Sequence, residues 1–206
     1  RLVDPYLAQD MAEFVLALIM NHLRDLNAFK IKQTESIWKP SEYLRIRDVK
    51  VGIMGMGAIG KRVATELRKT GFDVMGWART RKEISGIPVY SGAKEFSEFL
   101  SKADILVSVL PLTPETKGIL NKKNLQLLPK NAFVINVGRG EQVIDEDLVA
   151  LISEGHLSGA SLDVFAEEPL PGNNILWKQP RVNVTPHIAS LTNPISVAPQ
   201  IVDTYY

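Results

Sequence analysis

Three stretches in the second half of the chain place ionisable groups directly after apolar runs, where buried strands would end. The first is Val134-Ile135-Asn136-Val137-Gly138-Arg139-Gly140. Flanking glycines let the backbone around Arg139 crowd a ligand. A guanidinium there could grip a carboxylate and polarise a neighbouring carbonyl oxygen. The competing reading is a surface arginine in a turn. The second stretch is Ser161-Leu162-Asp163-Val164-Phe165-Ala166-Glu167-Glu168-Pro169-Leu170-Pro171. Asp163 interrupts an apolar run and so requires a partner. Glu168 precedes a proline, which favours an extended conformation. Glu167 reads better as a solvated charge. The third is Val184-Thr185-Pro186-His187-Ile188-Ala189-Ser190, in which Pro186 constrains the approach to His187. A lone histidine is more often structural than catalytic. An arginine, a glutamate and a histidine at one sheet edge instead make an anion anchor with an acid–base pair.

Such groups must be gathered by a scaffold, and Val51–Gly60 (VGIMGMGAIG) supplies it. A short apolar run leads into Gly55, Gly57 and Gly60, spaced Gly-x-Gly-x-x-Gly with Ala58 and Ile59 inside the motif. Ile59, Val63 and Leu67 then recur at intervals of four, as one face of a helix does. Strand, glycine turn and helix is the context that makes this motif a dinucleotide site rather than a plain turn. Gly55 would make the turn, Gly57 would admit a pyrophosphate, and Gly60 would let helix and strand pack closely. The helix start offers free N–H groups and the positive dipole end.

The cofactor is read from the end of the next strand, Asp73–Trp77. An acidic residue about 20 positions past the glycines usually binds the adenosine ribose. Here the chain reads Gly76-Trp77-Ala78-Arg79-Thr80-Arg81-Lys82, with Asp73 at the far end of the strand. No carboxylate is expected at the ribose end, where Arg79 and Arg81 stand with Thr80 between them. Two guanidiniums with a hydroxyl between them would pair with a 2′-phosphate. NADP(H) is therefore expected, with NAD possible; a solvated basic loop is the competing reading.

The 206 residues carry a net charge of +1, which excludes a basic field for nucleic acid or anionic membrane. Without cysteine there are no disulfides, thiolate chemistry or Cys-based zinc sites. Three histidines (His22, His156 and His187) make a histidine-rich metal site improbable, and no metal is expected. The longest apolar run, Phe14–Met20, is too short to span a bilayer. A cytoplasmic protein with no membrane or nucleic-acid partner is expected.

Residues 1–30 read as one helix, with Asp4 as N-cap and Pro5 at the first helical position. Its apolar positions run round most of the circumference, so it must be buried on most sides. Cover by its own subunit and cover by a partner chain both satisfy that demand. Residues 30–48 read as an extended polar arm in which Trp38 is an interface anchor or a cover for its own subunit. From Lys50 onward strands at Val51–Met54, Asp73–Trp77, Asp104–Leu110, Ala132–Val137, Ala160–Phe165 and Arg181–Thr185 alternate with helices at Ala93–Lys102, Lys122–Leu128 and Glu146–Glu154. A last helix is expected over Ile195–Tyr206. The order implies an α/β fold with an open, doubly wound parallel sheet.

VGIMGMGAIG, SVLPLTPET, INVGRG, DVFAEEPLP and TPHIAS, in this order along the chain, resemble the D-isomer-specific 2-hydroxyacid dehydrogenase family. The Trp77–Thr80 segment resembles its NADPH-preferring glyoxylate/hydroxypyruvate reductases. The resemblance implies a Rossmann-like cofactor domain and a catalytic set of Arg139, Glu168 and His187. Arg139 would bind the substrate carboxylate and polarise the keto oxygen. His187 would give that oxygen its proton, and Glu168 would orient His187 and favour its protonated form. Asp163 would hold the nicotinamide amide, and Leu110 and Pro111 would line the cleft. Trp77, Thr116, Val137, Gly138 and Ala189, with Arg139 and His187 themselves, complete the cofactor-binding positions so implied. The substrates implied are small 2-keto or 2-hydroxy acids. Family members carry a separate substrate domain that this chain largely lacks, so residues 1–206 are expected to form the cofactor domain, with residues 1–48 used in a homodimer.

Three functions stay in play on these residues. One is an NADPH-dependent 2-keto acid reductase, and one is an NAD-dependent 2-hydroxyacid dehydrogenase. The third is a cofactor-sensing dimerisation module of the same fold. The Arg139, Glu168 and His187 set favours an enzyme, because a sensor needs no proton donor.

Overall fold

Apolar runs bounded by polar or glycine turns become seven strands, as seen in the computed structural model, which describes residues 6–191 and Ala198. The strands are β1 (Lys50–Met54), β2 (Asp73–Ala78), β3 (Val89–Ser91), β4 (Ile105–Ser108), β5 (Ala132–Asn136), β6 (Leu157–Leu162) and β7 (Val182–Val184). All pair in parallel, in the order β3-β2-β1-β4-β5-β6-β7. Chain order reverses between β1 and β4, the place where ligands collect in open sheets of this kind. β1, β4 and β5 are apolar almost throughout because helices cover both faces.

The helices are α1 (Leu7–Arg24), α2 (Leu26–Thr34), α3 (Ala58–Thr70), α4 (Phe96–Leu100), α5 (Lys122–Leu125) and α6 (Asp145–Ser153). On one face of the sheet α3 buries Val63, Ala64 and Leu67, and α1 lies over it with Met11, Val15, Ile19 and Leu23 buried. The other face packs Phe99, Leu148, Leu151 and Ile152 against Met54, Leu106 and Val134.

Three elements of the fold differ from the sequence expectation. The first helix is two: Asp25 adopts a left-handed conformation (φ 50°), which ends α1 and starts α2 in a new direction. α3 takes the α1 stripe of Met11, Val15, Ile19 and Leu23, while Phe14, Leu16, Leu18 and Met20 are half-buried. Exposed apolar surface lies instead on α2 and the segment after it, where Leu26, Ile31, Ile37, Tyr43 and Leu44 are about half exposed and Trp38 is wholly so. β3 was not foreseen, because three residues in a polar stretch carry no periodicity; it joins the sheet beside β2. β6 starts three residues earlier than its apolar pattern, since Ser158 and Gly159 hide the beginning; Ser158 is the extra residue at the register shift, and Gly159 pairs with Phe133. The expected caps Asp4 and Pro5 and the helix at 195–206 lie outside the described residues.

Candidate active site

The sheet ladder runs one residue past the strands at the edge where the site forms. Gly55 N–H donates to Trp77 O, Val109 N–H to Met54 O, Val137 N–H to Ser108 O, Asp163 N–H to Asn136 O and Thr185 N–H to Leu162 O, all at 2.9–3.1 Å. The loops bearing the expected site residues therefore start from one straight rim.

At the rim the three motif glycines answer three different demands. Gly55 has φ +104°, a left-handed conformation natural only to glycine. A Cβ on Gly60 would fall 1.9 Å from the Gly55 carbonyl oxygen, so α3 can sit this close to the turn only without a side chain. Gly57 faces nothing within 4 Å. Crowding at two glycines and open space at the third leave a cradle at the start of α3. The first helical bond is made by Lys61 N–H to Gly57 O, so the amides of Ala58, Ile59 and Gly60 precede the ladder. That is the donor set a pyrophosphate requires.

Arg79, Thr80 and Arg81 are exposed just beyond β2. Asp73, at the opposite end of that strand, pairs with Lys50 at 3.1 Å. The structure corrects one expectation: a carboxylate does reach this corner. Glu95, at the start of α4, accepts Ser91 N–H at 2.6 Å and pairs with Arg81 at 3.4 Å. It comes from 14 residues further on, through the unforeseen β3, which no local reading could show. Trp77 is turned into the core, its ring against Phe96 and its indole N–H on Gly92 O, so its side chain fixes the strand end instead of facing the rim.

Between β4 and α5 the chain turns at Leu110–Thr116. Leu110 is buried against Gly55 and Pro111 is exposed. The Thr116 hydroxyl is spent inside this loop, donating to Pro111 O at 2.7 Å and accepting Thr113 N–H at 2.8 Å. Glu115 is held below the ordinary carboxylate range by a bond from Thr113, by its own backbone amide and by the charge of Arg79 across the rim.

After β5, Val137 and Gly138 are buried and Arg139 emerges. Asn136, fully buried, shapes this loop: its Oδ1 accepts Gly138 N–H and its Nδ2 donates to Arg139 O at 2.9 Å. Sequence reasoning missed Asn136, Ser108 and Gln142. The first two carried a usable signal, a polar residue closing an otherwise apolar strand.

Asp163 has the partners its burial demanded. Oδ1 accepts the Thr185 hydroxyl at 2.6 Å and Ile188 N–H at 3.0 Å, and Oδ2 accepts Ala189 N–H at 2.8 Å. These bonds clamp the loop on both sides of His187. His187 itself has φ 54°, an uncommon conformation for a side-chain-bearing residue, and its N–H closes a tight turn around Pro186 onto Thr185 O.

The loop brings His187 Nδ1 to 2.8 Å from Glu168 Oε2. A carboxylate only accepts, so Nδ1 carries the proton of this bond, on a side chain that is half exposed. Glu168 Oε1 accepts Phe165 N–H at 2.9 Å. Partial burial pushes the Glu168 carboxyl up, but the His187 and Phe165 bonds and the charges of His187 and Arg139 together hold it below its usual range. Arg139 therefore acts electrostatically on the same carboxylate that orients the histidine.

A family model described as D-isomer specific 2-hydroxyacid dehydrogenase, NAD binding domain, matches residues 16–189. The chain belongs to that family. Its fold is the family's doubly wound dinucleotide-binding domain, and membership marks it as an NAD(P)-dependent oxidoreductase. A family member from Xanthobacter autotrophicus Py2, solved in complex with NADPH and MES, is 42% identical; it aligns with a TM-score of 0.93 over 100% of this chain and 85% of its own. The NADPH-dependent glyoxylate/hydroxypyruvate reductase of Sinorhizobium meliloti is 36% identical, at 0.93 over 100% and 82%. A probable 2-hydroxyacid dehydrogenase from Rhizobium etli CFN 42, solved with NADP, HEPES and L(+)-tartaric acid, is 37% identical, at 0.94 over 100% of this chain and 66% of its own. Among the described residues no helix is long and apolar enough to cross a membrane, and no group of three His, Asp or Glu could hold a metal.

Proposed function

We propose that this chain is the cofactor-binding part of a reductase that uses NADPH to convert a small 2-keto acid, glyoxylate or hydroxypyruvate, to the 2-hydroxy acid. The observation that carries the reading is the His187–Glu168 pair beside Arg139, on the rim that also bears the open Gly57 cradle. The amides at the start of α3 would hold the pyrophosphate, and Arg79 and Arg81 the 2′-phosphate. Asp163, Leu110, Pro111, Val137, Gly138 and Ala189 would line the nicotinamide end. When bound, the nicotinamide supplies the hydride.

The chain's own residues do the rest. Arg139 binds the carboxylate and withdraws charge from the keto oxygen as negative charge develops there. The imidazolium form of His187 gives its Nε2 proton to that oxygen and is left neutral with its proton on Nδ1, and Glu168, holding Nδ1–H, keeps the ring in the orientation this requires. The protein works as a cytoplasmic homodimer in this reading, with the apolar surface of α2 and the Trp38 segment at the interface and a substrate domain closing the cleft. Support for NADPH comes from the basic end of β2 and from relatives solved with NADPH or NADP.

The deciding experiment measures initial rates of the full-length enzyme with glyoxylate, hydroxypyruvate and pyruvate, each with NADPH and NADH. Glyoxylate or hydroxypyruvate with NADPH is expected to lead. Activity on none of the three would overturn the reading.

A further inference from the structure

The side-chain amide of Gln142 is fully buried, yet no step above uses it. It lies in the single helical turn Gly140–Gln142 that follows Arg139. Its Nε2 donates to Leu110 O at 2.8 Å and to Pro111 O at 3.3 Å. Its Oε1 accepts the Ser108 hydroxyl at 2.9 Å. Carbonyls only accept, so the amide's orientation is settled, with nitrogen toward the turn after β4 and oxygen toward Ser108. The same oxygen stands against Gly138, where a Cβ would fall 2.9 Å from it and 2.9 Å from Leu110 O. One side chain thus touches the last residue of β4, the turn after it, and the backbone that leads to Arg139.

We propose that Gln142 is a positioning residue that locks the Leu110–Pro111 turn to the Arg139 loop, so that the cofactor wall and the anion-binding wall are held as one unit. This rests on the roles assigned above to Arg139, Leu110 and Pro111. A buried amide is costly unless bonded, and a fully bonded one stiffens what it joins. An apolar side chain would fill the space but leave the Ser108 hydroxyl without its acceptor and the turn untethered. The two loops would then move independently, and both ligands would lose their pre-set contacts.

The test uses the full-length enzyme. In Gln142→Leu the KM for NADPH and the KM for glyoxylate should both rise about tenfold, the size of effect a lost buried hydrogen bond produces. Gln142→His offers a donor and an acceptor with similar separation and should keep both constants within about threefold of the parent. Ser108→Ala frees only the amide oxygen, so it serves if Gln142→Leu folds poorly, and should raise both constants about threefold. A merely structural role would reduce the fraction of active enzyme and leave both KM values alone. That result, or a rise in one KM without the other, overturns the lock. NADPH affinity measured by fluorescence needs no turnover, so it decides the lock even if the enzyme reduces none of these keto acids, an outcome that would sink the catalytic reading separately.

Discussion

Asp163 straddles His187: its carboxylate holds Thr185 on one side and Ile188 and Ala189 on the other. The loop bearing His187 is thus fixed by a buried group at the end of the neighbouring strand, and the uncommon backbone conformation of His187 sits inside that clamp. Asp163→Asn replaces one acceptor oxygen by an amide NH2, which meets a backbone N–H donor whichever way the amide is turned. It should cost about 1–3 kcal/mol of stability and lower turnover more than cofactor affinity. Chemical denaturation together with steady-state kinetics checks this. Unchanged stability would show that the clamp is not needed.

His187→Ala in the full-length enzyme should reduce turnover about 100-fold or more, the usual range for losing a general acid. Cofactor affinity should change little, since the phosphates would be held at Gly57, far along the rim. Near-normal turnover would sink the assignment.

Glu168 carries a depressed carboxyl, so its interaction with His187 is complete above the ordinary carboxylate range and fails as pH falls through the lowered value. The pair is then intact across neutral pH. Glu168→Gln keeps an acceptor for the His187 Nδ1–H but loses the charge, so it should slow turnover less than His187→Ala. A loss as large as that of His187→Ala would refute this orienting role.

Arg79 faces the rim with Arg81, whose guanidinium is shared with Glu95. Arg79→Ala should narrow the preference for NADPH over NADH by at least ~1 kcal/mol, the low end for a charge-assisted bond. Binding titrations with both cofactors read this directly. Equal affinities in the unmodified protein would defeat the 2′-phosphate reading.

His22 packs its ring on Phe133 with centroids 3.8 Å apart, and burial lowers its pKa to about 4 against the opposing pull of Asp25. Between about 6.5 and 4 the unfolded chain takes up a proton that the fold refuses, so stability should fall as pH falls through that window. The loss is at most about 3 kcal/mol, since the ring keeps some access to water. His22→Phe retains the stack and should flatten that slope in urea titrations at pH 7, 5.5 and 4.5. An unaltered slope would place the acid sensitivity elsewhere.

Much of this was legible because burial on both sides of a parallel sheet writes itself as uninterrupted apolar runs. β1, β4 and β5 are such runs, and Arg139, Glu168 and His187 stand out because they follow runs of this kind. What escaped was set by tertiary contact. β3 exists because β2 offers it an edge. Glu95 reaches Arg81 only through β3. The break at Asp25 is one backbone conformation that many residues could adopt, and Gln142 has meaning only once the turn after β4 lies against it. Trp77 stood at the right place in the sequence, yet its ring faces Phe96 because the core had room for it.

The ladder that continues past the strands at Gly55, Val109, Val137, Asp163 and Thr185 has a mechanical consequence. These five amides form a floor beneath the site that belongs to the sheet's most protected cooperative unit, and their hydrogens should exchange with solvent as slowly as those of β1 and β4. The loops above can therefore shift without the floor yielding. Any closing movement would bend the chain outside this row, and the strand ends from which the Arg139 and His187 loops spring would keep their spacing throughout it.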